Sequence, residues 1–175
     1  LTAGDDVVPQ FWAELSSEPQ TAERHDFALK AVNNDNHIIV AVADIHLANR
    51  LNDVQTFRDS FVANLTAEIE QYRSKGIPVY TLSMGDNSFD IYWYDYLYDI
   101  GDFRRTLAEV KYPTPFFNTM GNHDNDGATP YDENTDFNAA AKYRKAFGPT
   151  YYSFNLGKVH YIMLDDMVYL NEPLT

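Results

Sequence analysis

The chain has 175 residues, 45% hydrophobic and 15% aromatic, which suits one folded domain with a packed core. Its 26 acids against 13 bases give a net charge of −13, which argues against attachment to nucleic acid or anionic membrane through the overall field. The absence of cysteine excludes disulfide scaffolds and thiolate metal sites, and no apolar stretch approaches the length of a membrane span.

Residues 1–36 are acidic and polar, broken by Pro9, Pro19 and Asn33-Asn34, and read as a lead-in or linker. The run 37–43 is β-branched and almost wholly apolar, as expected of a strand covered on both faces. Asp53 is placed to cap a helix whose apolar residues Phe57, Phe61, Leu65, Ile69 and Tyr72 form one stripe, closed by Lys75-Gly76. A second strand spans 79–84. The aromatic run 91–98 reads as an irregular, buried helical segment that fills core, followed by a helix over 102–110. A third strand covers 116–120, and Asp136 caps a helix ending near Phe147-Gly148-Pro149. Strands over 151–156 and 158–165, joined through Gly157, form a hairpin. The order is therefore strand–helix–strand–helix–strand, with antiparallel pairing only at the end.

Chemistry gathers at the ends of the first three strands. Asp44-Ile45-His46, Gly85-Asp86-Asn87 and Gly121-Asn122-His123-Asp124 each follow an apolar run. Asp44 and Asp86 are 42 residues apart and Asp86 and Asn122 are 36 apart, each about one βαβ unit. Ligands of open α/β sheets bind outside the carboxyl ends of the strands, so the clusters converge on one site. Asp44, His46, Asp86 and Asn122 are the candidate metal donors, with His123 beside them. Carboxylate, imidazole and amide oxygen together suit Mn, Fe, Ni or Zn rather than calcium. The central Asp86 has the natural position to bridge two ions about 3.5–4 Å apart, and a hydroxide held between such ions attacks phosphorus at neutral pH. His123 then stabilises the transition state or protonates the leaving oxygen, and Asp124 orients its imidazole. His160 reads as a packed strand residue, His37 as the start of a strand, and His25 as solvated. Asp165-Asp166 lies within possible reach of the site.

These three clusters resemble the DxH, GD and GNHD blocks of the calcineurin-like metallophosphoesterase superfamily. The phrases around Asn87–Trp93 and Phe147–Phe154 resemble a bacterial, exported branch of it. The resemblance implies an α/β fold of two packed sheets flanked by helices (αββα), incomplete at its C-terminal side. Residues 1–36 are then a lead-in and 37–175 the N-terminal part of a catalytic domain. It also implies two divalent ions: Asp44 and His46 on one, Asp86 bridging, Asn122 on the second, and His123 against the scissile phosphate of a monoester or diester. The family pattern continues with GH and GHxH blocks that do not occur here, so weak or absent activity is expected of this chain. Asp90 follows Asp86 by four residues where many relatives place an acid three after, which reads as a branch feature of little consequence. The alternative is a non-catalytic domain of the same fold that serves binding or structure. An open sheet would pair with a second copy or a companion chain.

Overall fold

A computed structural model describes residues 7–18, 22–26 and 31–170. Strand β1 (Ile38–Val42) leads to α1 (Asp53–Thr56), which widens into π-helical turns over Phe57–Val62 and continues as α2 (Ala63–Arg73). Strand β2 (Val79–Ser83), a 3₁₀ turn (Asp90–Tyr92), α3 (Ile100–Glu109) and β3 (Phe116–Asn118) follow. A second 3₁₀ turn (Asn122–Asp124), α4 (Thr135–Ala139), α5 (Ala141–Phe147) and the hairpin β4 (Tyr152–Leu156) and β5 (Val159–Met163) complete the order.

The first three strands form a parallel sheet in the order β1-β2-β3, and β4 and β5 pair antiparallel in a sheet of their own. Alternation along each strand divides the core. Phe116 joins Phe103, Leu107, Ile100, Tyr143 and Phe147 beneath α3 and α5. Its neighbour Phe117 points the other way with Tyr80 onto the hairpin, where its ring stacks 4.1 Å from Phe154. The two sheets therefore face each other with helices behind the first, a mixed α/β arrangement. Side chains such as Phe103, Ile100 and Leu107 are wholly buried, each worth about 1.5–3 kcal/mol by transfer from water.

Several local expectations are revised. Strand β1 is half-buried, not covered on both faces, because it pairs with β2 alone among the described residues. The N-cap of α1 is Asn52, in a left-handed conformation. Asp53 instead accepts the N–H groups of Ala48 and Arg50 at 2.8 and 2.9 Å, so it braces the loop before the helix. The π turns rotate the expected stripe: Phe57, Val62 and Ile69 are buried while Phe61 is exposed. The aromatic run splits, with Trp93 and Tyr98 in the core and Ile91, Tyr94 and Tyr96 exposed. A helix does start near the predicted place, but its cap is Asp99, in a reciprocal capping box with Asp102. The last helix is broken at Ala140, and Asn134 rather than Asp136 precedes it.

Part of the lead-in is docked. Val8 is buried in the main cluster, the Phe116 N–H donates to Val7 O at 2.6 Å, and the Trp12 ring lies against Gly148.

Candidate metal centre

The carboxyl ends of β1, β2 and β3 meet, and backbone hydrogen bonds lace their loops together. Asp44 N–H donates to Gly85 O at 3.2 Å, His46 N–H to Asp86 O at 3.0 Å, and Leu47 N–H to Asn87 O at 3.0 Å. Two glycines set how closely the loops approach. A Cβ on Gly121 would stand 2.2 Å from Asp86 Oδ1, and one on Gly85, at φ +103°, would stand 2.8 Å from Gly121. Only bare backbone fits there, which is why glycine precedes both Asp86 and Asn122. Asp44, His46 and Asp86 themselves sit at φ 53°, 51° and 55°, left-handed conformations that cost energy for residues with a Cβ. Three residues with metal-ligand chemistry thus share the left-handed conformation, which Asn49, Leu51 and Asn52 of the loop after β1 also adopt.

His46, Asp86 and His123 each place a donor atom within 4.8 Å of the others. His46 Nε2 is 3.4 Å from Asp86 Oδ2, and that nitrogen is buried with no hydrogen-bond partner. Phe89 holds both rings in place: it stacks on His46 at 4.6 Å and meets His123 edge-on at 4.5 Å. On the other side of Asp86 lies a cavity of about 290 Å³ whose lining includes Asp44, Asp86, Asn122 and Asp166. Asp86 is common to both groups. The candidate donors thus fall in two groups that share Asp86, His46 with His123 in one and Asp44 with Asn122 in the other, which Asp166 joins from beyond the hairpin. An orphaned buried imidazole nitrogen facing a carboxylate fits a divalent cation, which would satisfy both.

Asp124 behaves differently from expectation. It is fully buried, and its oxygens accept from Asn87 N–H (3.0 Å), Ser88 N–H (3.1 Å), Ser88 Oγ (3.3 Å), Gly121 N–H (3.0 Å) and Asn87 Nδ2 (3.4 Å). Burial pushes its carboxyl up to about 6, against the pull of those donors. It clamps the loops from beneath and gives nothing to the imidazole. The His123 ring bonds instead through Nδ1 to Asp90 Oδ1 at 2.7 Å, and the His123 N–H donates to Asp86 Oδ1 at 2.9 Å. Asp90, read from sequence as inconsequential, is the residue that was missed. The sequence shows only that it follows Asp86 by four residues; its partner arrives from the loop after β3. Gly127 packs against it, with a Cβ there falling 2.6 Å from Asp90 Oδ2.

The other histidines lie elsewhere. His160 is exposed and bonds Asn155 at 2.8 Å, so it is not packed as expected. His37 bridges Asn34 O and the Tyr161 hydroxyl, and His25 is paired with Glu23.

Strand-end loops, strained carboxylate and imidazole donors and an unpartnered ring nitrogen define an α/β protein with a candidate metal centre. Residues 37–172 match the family model for calcineurin-like phosphoesterase. The chain belongs to that family, whose chemistry is metal-dependent hydrolysis of phosphoesters. A comparison with curated proteins gave no match. No described helix is long and apolar enough to cross a membrane.

Proposed function

We propose that the protein is a phosphohydrolase whose divalent ions are held by Asp44, His46, Asp86 and Asn122. The observation that carries this reading is the buried, unpartnered Nε2 of His46 facing Asp86. The membership of Asp86 in both donor groups supports its role as the shared ligand. Asp166 adds a further carboxylate to the same cavity. When bound, the ions supply positive charge to a phosphoryl group and lower the pKa of water.

The remaining work belongs to the chain. Asp90 fixes the Nδ1 side of His123, which leaves Nε2 to hydrogen-bond the scissile phosphate or to donate a proton to the departing alkoxide. Asp86 Oδ1 anchors the His123 backbone, so the ring and the candidate ligand move as one unit. Phe89 covers one face of the His46 imidazole and packs edge-on against that of His123. Calorimetric titration with Mn²⁺ or Zn²⁺, followed by assay on an aryl phosphate, tests the proposal. Binding that Asp86→Ala abolishes supports it, while equal binding by both proteins sinks the ligand assignment.

A second reading is a non-catalytic domain that binds one ion or none. The position of His160, turned to Asn155 on the outside of the hairpin, favours it, since that ring contributes nothing to the centre. Metal binding without any hydrolysis would select this reading.

A further inference from the structure

The loop that carries Asp44 and His46 runs on to Arg50, and that cation is held in a defined place. Its backbone N–H donates to Asp53 Oδ1 at 2.9 Å. Nη1 donates to the Tyr92 hydroxyl at 2.7 Å, and the guanidinium carbon lies 4.1 Å from the centre of the Tyr92 ring. Tyr92 meets Phe89 edge-on at 5.2 Å, and Phe89 contacts both His46 and His123. A continuous wall of rings therefore joins the two imidazoles to the guanidinium.

Arg50 differs in its partner from the cations that pair with carboxylates or bond to carbonyls. Arg24 pairs with Asp26 and Arg105 with Asp102, and Lys142 lies between Asp99 and Asp126. Arg73 and Arg144 donate to the carbonyls of Pro113 and Phe137. Arg50 makes no ion pair among the described residues, and its one side-chain hydrogen bond goes to a neutral phenol. A guanidinium has five N–H donors in a planar fork, so most of its capacity and all of its charge stay available. In a chain of net charge −13, an unneutralised cation fixed on the wall of a phosphoester site is a recognition element.

We propose that Arg50, clamped on Tyr92, sets substrate specificity by binding a second anionic group, phosphate or carboxylate, on the alcohol part of the phosphoester. The inference rests on the phosphohydrolase reading above. The scissile phosphate lies at the His46–Asp86–His123 cluster, the spacer runs along Phe89 and Tyr92, and the second anion meets the guanidinium fork. Favoured substrates are therefore doubly anionic esters, and simple alkyl monophosphates engage the metal cluster alone.

The test is calorimetric titration of the Mn²⁺-equilibrated protein with alkanediol bisphosphates of increasing chain length and with the matched alkyl monophosphates. At one length the bisphosphate binds at least about tenfold tighter than its monophosphate, the increment expected of a charge-assisted hydrogen-bonded pair. Arg50→Gln removes that gain while monophosphate affinity stays unchanged, which also shows that the variant is folded. Arg50→Lys restores part of it. A series in which no bisphosphate exceeds its monophosphate, or a gain that survives in Arg50→Gln, overturns the proposal. Carboxyalkyl phosphates in the same assay decide whether the second anion is restricted to phosphate. Failure of the underlying reading looks different: no ligand of either kind binds in a Mn²⁺-dependent way, and both proposals fall together.

Discussion

Beneath the candidate centre lies a floor of Ser83, Asn87, Asn118 and Asp124, all buried, and above it a rim of His46, Asp86, Asp90 and His123 that solvent reaches. In the floor, most donors and acceptors are matched, although Asn118 Nδ2 is buried without a hydrogen-bond partner. Ser83 Oγ donates to Asn87 Oδ1 at 2.6 Å, Asn87 Nδ2 donates to Asn118 Oδ1 at 2.8 Å, and Asp124 collects the rest. In the rim, by contrast, the His46 ring nitrogen has no partner and the backbone is strained. Asp124 and His123 are neighbours in the chain yet belong to opposite regions, because the 3₁₀ turn sends successive side chains in different directions. A satisfied network fixes geometry, and the unsatisfied groups it supports are left for a ligand.

Changes to the rim are therefore expected to act on binding and changes to the floor on stability. The largest effect expected is in the rim: Asp86→Ala lowers divalent-ion affinity by more than about a hundredfold, since loss of even an outer partner costs 10–100-fold. Calorimetry would show this, alongside a smaller loss of stability in the metal-free protein from the lost His123 N–H bond. Next comes the floor. Asp124→Asn sets an amide NH₂ among donors and destabilises the protein by about 3 kcal/mol, measured by urea unfolding. A variant as stable as the wild type but inactive would return Asp124 to a catalytic role and erase the division. Asp90→Asn, also in the rim, acts on turnover rather than on metal affinity. It lowers turnover about 10–100-fold through a misoriented His123, at nearly unchanged stability. Equal kinetics in wild type and Asp90→Asn would show that the 2.7 Å bond to His123 is idle. The smallest effect is that of Gly127→Ala, whose methyl group displaces Asp90. Turnover falls by up to about tenfold, in the same direction as Asp90→Asn, because a small misplacement near the reacting groups is costly.

The order of strands and helices along the chain and the convergence of three strand ends were legible in the sequence. Apolar runs ending in Asp44, Asp86 and Asn122 state their position as soon as the strands are parallel. What was not legible depends on contacts between loops. Nothing local marks Asp124 as a clamp rather than an orienting acid, since its partners Asn87 and Ser88 lie 36 and more residues earlier. Asp90 was passed over because its partner His123 comes from a different loop. The helix stripe was misplaced at Phe61 because π-helical turns change the angle per residue, and regular periodicity does not anticipate them. The partial exposure of β1 likewise depends on which strands lie beside it, which an apolar run does not record.

The two tryptophans of the chain are Trp12 and Trp93. Trp93 is buried, and its Nε1 donates to Ser88 Oγ at 3.2 Å, the same hydroxyl that donates to Asp124. An indole one bond removed from the floor is an intrinsic optical probe. In a Trp12→Phe background, the emission maximum of Trp93 reads the integrity of that network directly, without a label.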